Sequence, residues 1–481
     1  MATDLEKAYG ALKNKNRRQT LLWDYYHGNH PLIYSSERLN EVFRSIDARF
    51  TENWCSVIVD SSMDRLDLVR FEVAGNEAAQ ARLNELWLQA GMGLDSDDAH
   101  EAALVCGEAF VIGWPASALP GQVPELYYND PRMVHVEYDP ERPRVKRWAA
   151  KWWKTEAVTD TAAQNDASRS GSVYRMTLYY PDRLEYYTAA SSGGALPSSA
   201  SAFKPWPATD PPDPAQPHIA LNPLGVVPVF HLRTRGNSTA GELTTGVIDL
   251  QNAVNKLVAD MMISAEFAAF RQRYVISNAD IGALKNAPNE IWDLPAGDGV
   301  SQDTQAGEFS ATQLSNYFSA IDKLALALGV ISRTPKHYFF AQSGDPSGEA
   351  LLAMESPLNK KVSRYIERFT VAWREVAWFL LTLAGFAVDK WAITPIFALP
   401  ETTQPLTRAQ GRNFDVNSGI PLVTVLRREG WSDAELAQMA ADRRKAEAAQ
   451  QSSLAQALLE QQRQFDREEN PPQSPLQEGD E

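Results

Sequence analysis

A chain of 481 residues with 46 Lys+Arg against 61 Asp+Glu, a net charge of −15, is long enough for more than one domain and too acidic to grip duplex DNA over a broad basic cleft. Its two cysteines, Cys55 and Cys106, exclude a disulfide framework and read as buried small hydrophobes in a reducing compartment. MATDLEKAYG lacks the apolar centre of a signal peptide, and the longest apolar run, AWFLLTLAGFAV, has 12 residues, short of the ~20 that span a bilayer, so a soluble chain is expected.

Residues 3–27 read as a helix stopped by Gly28 and Pro31. SIDARFTENWCSVIVDSSMDRL reads as a second helix and DLVRFEV as a strand. AAQARLNELWLQAGM is helical, with Leu83, Leu86, Trp87 and Ala90 on one face. From about 104 to 190 the pattern turns to short β-rich runs (ALVCGEAFVIGW, PRMVHVEYD, VKRWAAKWW, VYRMTLYYPDRLEYYT) separated by Pro, Asn and Asp, which predicts a sheet. An Ala/Ser/Pro-rich loop over 189–217 follows, and NPLGVVPVFHLR returns to extended chain.

Leu250, Val254, Leu257, Met261 and Ala265 form one stripe, so 247–271 predicts a helix of roughly 37 Å. A small insert with strand and turn signals separates it from a second amphipathic helix carrying Leu314, Tyr317, Phe318, Ile321, Leu324 and Leu328. Together they predict a helical hairpin with a β-containing tip, whose stripes one hairpin cannot bury alone. After Gly329 comes a basic, aromatic loop, then a long helix with Asp345 as N-cap, Pro346 in its first turn, a kink at Pro357 and Gly385 as terminator. Two short helices follow residue 400; in the second, Ser432 and Glu435 fit a capping box and Trp431 and Leu436 a hydrophobic staple. From about 447 the Gln-, Ala- and Glu-rich tail, ending in NPPQSPLQEGDE, reads as disordered.

Signals for chemistry are sparse. Ser201-Ala202-Phe203-Lys204 matches the S-x-x-K pattern of serine acyl-enzymes, but it lies in a loop with no accompanying S-D-N or K-T-G element. The His27-Gly28-Asn29-His30 cluster lacks partners at metal spacing and reads as a turn. Trp148, Trp152 and Trp153 read as cross-strand packing rather than a base-stacking platform. No enzyme activity, cofactor or metal is expected.

The order of elements resembles the portal proteins of tailed bacteriophages, of the siphovirus head-to-tail connector type. WDYYHGNHPL and NWCSVIVDSSMDRL look like that family's N-terminal helices, CGEAFVIGW and NPLGVVPVFHLR like its wing strands, and GVIDLQNAVNKLVADMM like its first stem helix. SGEALLAMESPLNKKV looks like the start of its long wing helix and GIPLVTVLRREGWSDAELAQM like its crown. The resemblance implies a mixed α+β portal fold: wing 1–245, first stem helix 246–271, clip 272–308, second stem helix 309–331, tunnel loop 332–346, kinked wing helix and return strand 347–400, crown 401–446 and tail 447–481. It implies a ring, usually of twelve subunits, at one capsid vertex of the virion, assembled in the host bacterial cytoplasm, through which double-stranded viral DNA is packaged and ejected without sequence reading. Implied partners are the terminase large subunit, then a head-completion or adaptor protein, with the major capsid and scaffolding proteins, and no membrane. In the implied tunnel loop, Arg333, Lys336, His337, Tyr338, Phe339, Phe340 and Gln342 would face DNA, with the aromatics packing on neighbouring subunits, the alternative being a loop buried against its own wing domain; Pro357 would kink the wing helix, and Asn286, Asn289 and Trp292 would sit where terminase docks. A minor capsid or scaffold-associated protein without a channel is the alternative, and an S-x-x-K hydrolase a remoter one.

Overall fold

The computed structural model describes residues 3–31, 51–115, 123–156, 172–191, 194–209, 211–236, 240–269, 273–276, 305–308, 313–339, 347–401, 405–429, 431 and 433–469. They fall into two compact units, residues 1–401 and 402–481.

In the larger unit, helix α1 (Asp4–Tyr26) starts in a capping box, with Thr3 accepting from the Glu6 amide and Glu6 accepting from the Thr3 amide. Helix α2 (Trp54–Met63) is capped by Asn53 and so begins later than the sequence suggests. Strand β1 (Leu68–Val73) pairs antiparallel with β13 (Ile393–Phe397), so the last strand of this unit returns to its first. Helices α3 (Glu77–Gln89) and α4 (Met92–Cys106) come next. Helix α4 corrects the sequence reading, which began a β-rich region at about residue 104. It is buried over most of its second half, so it carries no amphipathic stripe to betray it.

Strand β2 (Glu108–Trp114) is the centre of a three-stranded antiparallel sheet, between β10 (Val229–Arg233) and β3 (Glu125–Asn129). A second antiparallel sheet runs β4 (Val134–Tyr138), β5 (Lys146–Glu156), β6 (Ser172–Tyr179), β7 (Arg183–Ala190) and β8 (Lys204–Pro205), with β9 (Ile219–Leu221) also paired to β7. Trp148 and Trp152 are buried on one face of β5, as the sequence suggests; Trp152 packs with Met176, Leu178 and Phe203 against Ala8 and Leu12 of α1.

Helices α5 (Thr245–Ala269) and α6 (Ser315–Ser332) form the expected hairpin, tied by a Ser264–Tyr317 hydroxyl contact of 3.0 Å. Strands β11 (Arg273–Ile276) and β12 (Gln305–Glu308) form an antiparallel ribbon between them in sequence. Tyr274 lies opposite Gly307, where a Cβ would meet the tyrosine ring at 2.5 Å, so the glycine makes room for the aromatic.

Helix α7 (Gly348–Leu383) organises the main core. Leu358, Val362, Tyr365, Phe369, Trp373, Val376 and Leu380 fall on its buried face at three- and four-residue spacing. Ser347, not Asp345, is its N-cap, accepting from the Ala350 amide; Asp345 and Pro346 lie outside the described residues. The helix continues through Pro357, which lies on the exposed side together with Ala353, the residue whose carbonyl loses a donor to the missing N–H. It ends as expected: Gly385 at φ +82 donates to Thr382 O and Phe386 to Leu381 O, a Schellman closure.

The smaller unit contains α8 (Pro405–Asn417), α9 (Leu422–Arg428) and α10 (Asp433–Glu469). Residues 447–469, expected to be disordered, are the continuation of α10. Their Ala, Glu, Gln and Arg content favours helix. Ser432 of the expected capping box lies outside the described residues.

Candidate functional site

The base of α5 is bound to α1 and α2 by buried polar contacts. Gln251 accepts from the Trp54 amide at 2.9 Å and donates to Glu52 O at 2.7 Å, while Asn252 accepts from the Tyr25 hydroxyl at 2.8 Å. Asn255 meets His30 at 2.9 Å, so the residue expected in a turn is a buried structural histidine rather than a metal ligand. Each of these groups would cost free energy if buried unpaired, and the pairing therefore fixes the rotation of α5 about its axis.

The end of α6 is held by a buried charge. The Lys361 ammonium on α7 donates to Ser332 O at 2.9 Å and pairs with Glu242 at 2.8 Å, and Glu242 also accepts from the Ser62 hydroxyl at 3.0 Å. Ser332 O is one of the carbonyls a helix end leaves without an intrahelical donor, so the lysine completes the terminus and fixes where the following loop leaves. Arg333 is the C-cap, at φ 57, the one non-glycine in the left-handed region among the described residues.

The loop then turns back onto its own subunit. Lys336–Tyr338 form a 3₁₀ turn. Phe339 is only 9% exposed and packs on Trp54 at 5.7 Å between ring centroids. Trp54 thus supplies Phe339 with an apolar partner from within the chain. The Tyr338 hydroxyl accepts from Arg65 at 2.8 Å, and Arg65 also donates to Asn359 and to Ser61 O. Glu355 of α7 balances this cluster, 3.4 Å from Arg65 and 3.9 Å from His337. Lys336 pairs with Asp322 of α6 at 3.1 Å, both side chains reaching solvent, and Arg333 is exposed. The structure thus brings Lys336, His337, Tyr338 and Phe339 together beside α6 and α7. Phe340, Gln342, Asn286, Asn289 and Trp292 lie outside the described residues.

The residues that sequence reasoning missed are the anchors Arg65, Glu242, Glu355 and Lys361. Lys361 had a signal: a lysine between Leu358 and Val362 interrupts an apolar stripe, and such a charge needs a partner. The S-x-x-K pair shows nothing catalytic; Ser201 and Lys204 are both exposed, and Ser201 shares a 2.8 Å contact with Ser199. Among the described residues no cluster of His, Cys, Asp and Glu could hold a metal, and no helix is long and apolar enough to cross a membrane. Both cysteines are buried as expected, and burial pushes the Cys55 thiol up to about 12.

A model of the family described as phage portal protein, SPP1 Gp6-like, matches residues 8–447, nearly the whole described chain. The chain belongs to this portal protein family. It is 25% identical over 338 residues to the portal protein of Mycobacterium phage L5, covering 66% of this chain and 62% of that protein. It is 24% identical over 407 residues to the portal protein of Mycobacterium phage D29, covering 79% and 76%. The chain thus spans under two thirds of the L5 relative's length. The portal family is a family of structural virion proteins, and membership in it agrees with the resemblance read from the sequence.

Proposed function

We propose that this portal protein assembles into a closed ring, of twelve subunits in the reading the resemblance suggests, whose α5–α6 hairpins surround a channel for double-stranded DNA. The supporting observation is on α6. Phe318, Leu326 and Val330 are 60%, 53% and 72% exposed, and the last two lie on the face opposite Ile321, Ala325 and Leu328, which are buried against the subunit. With Ile331, also more than half exposed, they leave four large apolar side chains of one helix open to solvent, surface that burial in a neighbouring subunit would stabilise. Cyclic symmetry gives such a face a partner in every neighbour and repeats each loop cation around one axis.

In this reading Arg333 and Lys336 meet phosphates without reading bases, and the β11–β12 ribbon belongs to a segment, 272–308, that receives terminase and then a head-completion protein. Packaging energy comes from the terminase, and the portal acts as a conduit. Capsid and scaffolding proteins surround the rest of the ring.

Native mass spectrometry of the purified chain tests the ring, with Leu326→Asp plus Val330→Asp expected to shift it to monomer without loss of helicity. An in vitro packaging assay tests the loop, with Arg333→Ala plus Lys336→Ala expected to lower packaged or retained DNA in rings that still assemble. Monomer at every wild-type concentration, or wild-type packaging by the double loop variant, would overturn the corresponding part.

A further inference from the structure

A cleft of about 290 Å³ opens on the larger unit, between the start of β5, the 225–230 segment, α7 and the short turn at Lys390. Its apolar wall is made by the partly exposed Trp378 with the edges of Val227, Phe230 and Phe379, which are otherwise buried. Its charges are unbalanced. Lys146 and Lys390 both reach the single carboxylate of Glu375, at 3.0 and 2.9 Å, and Arg144 stands exposed at the mouth. Three cations therefore meet one anion, in a chain whose total charge is −15.

Each ammonium has three donors, and Glu375 takes one from each. Lys146 also lies 5.1 Å over the Phe230 ring, so its charge is set against an apolar wall. Burial pulls the Lys146 ammonium below its ordinary value. Although burial also opposes the charged carboxylate, Lys146 and Lys390 together hold Glu375 below its ordinary range. A second carboxylate entering here would find unspent donors and relieve an uncompensated cation. Beside the cleft, Trp391 is 74% exposed with the Arg374 guanidinium 5.3 Å over its ring, and Val145 is also exposed at the mouth.

We propose that this cleft is a docking site for an acidic peptide segment of a partner protein, taking a bulky apolar side chain against Phe230 and Trp378 and a neighbouring carboxylate on Lys146 and Lys390. Charge complementarity selects this occupant. A nucleic-acid backbone would bring phosphates past Glu375 without filling the apolar wall. The inference is independent of the channel reading, because the cleft lies apart from the α5–α6 hairpin and needs no ring.

The experiment pans a yeast-displayed random heptapeptide library on the full-length chain, then measures the enriched peptide by fluorescence anisotropy. Enrichment of Asp or Glu beside Trp, Phe or Leu is expected, with binding weakened at least about tenfold by Lys390→Glu and by Val145→Glu. Val145 is exposed, so its variant keeps the test open if Lys390→Glu disturbs the fold. Peptides of basic or unrelated composition, affinity unchanged in both variants, or displacement of the peptide by a single-stranded oligonucleotide at equal concentration would each overturn the proposal.

Discussion

Phe339→Ala separates a loop that is built into its subunit from one that merely hangs beside a channel. Phe339 is 9% exposed, packed on Trp54, with its ring 3.6 Å from the place a Cβ on Gly329 would occupy. Removing a ring from such a position forfeits transfer free energy and leaves a cavity, about 3–5 kcal/mol together. Unfolding entropy near 2.1 cal/mol/K per residue, applied to a unit the size of residues 1–401, converts each kcal/mol to roughly 1.2 °C. Phe339→Ala should therefore lower Tm by about 4–6 °C in differential scanning calorimetry. Lys336→Ala breaks only a solvent-exposed pair with Asp322 and should shift Tm by less than about 1 °C, since such pairs contribute ~0–1 kcal/mol. Arg333→Gly should raise Tm slightly, because glycine occupies φ 57 without the penalty an L side chain incurs there. A Phe339→Ala protein melting within about 1 °C of wild type, or a Lys336→Ala protein melting as low as Phe339→Ala, would refute the burial argument.

Three further outcomes follow from the core. Burial holds His100 down to about 3 and His231 to about 4, so both are neutral when folded; their stabilisation is complete above the unfolded value near 6.5 and falls by about 1.4 kcal/mol per group per pH unit below it. Urea midpoints at pH 7 and pH 5 should show a shallower acid loss in His100→Gln, which keeps an acceptor for the Trp373 indole N–H, 2.8 Å from His100 in the wild type. Gly241→Ala would drive a Cβ to 2.2 Å from Leu104 O, where the Glu242 amide closes the end of α4, and should cost at least about 2–3 kcal/mol in the same assay. Lys361→Met should destabilise by about 3–5 kcal/mol, and Lys361→Met with Glu242→Gln by clearly less, because the single change strands a buried carboxylate.

The long elements were legible where one face meets a core. Helix α7 carries its apolar spacing from Leu358 to Leu380, and its end declared itself through Gly385; the hairpin declared itself through two stripes either side of an insert. Helix α4 was not legible, because a segment buried on several sides has no period, and Ala-Leu-Val-Cys reads as strand as readily as helix. Its true start is set by Gly91 at φ +69, a conformation the sequence permits but does not announce. The loop's packing depends on Trp54, Arg65 and Glu355, which lie on or beside other helices and share no local pattern with it. Pairings of that kind are tertiary, and a single sequence carries no sign of them.

The placement of charge around the loop bears on how an acidic protein can surround DNA in the proposed reading. Lys336 is matched by Asp322, and Arg65 and His337 by Glu355, so the ring that symmetry would generate carries near-balanced pairs with Arg333 as its exposed surplus. Exposed charges act over about 8–10 Å at physiological salt, so phosphates passing farther out would sense little net field. Those passing close could exchange Asp322 for a phosphate as the partner of Lys336, one surface pair for another of similar energy. Such an exchange holds DNA weakly at many equivalent points, and the contacts of buried Phe339 and Lys361 and half-buried Tyr338 keep the loop's root fixed while it happens. A conduit needs that combination: a rigid mount for cations whose grip on any one phosphate is worth no more than the surface pair it replaces.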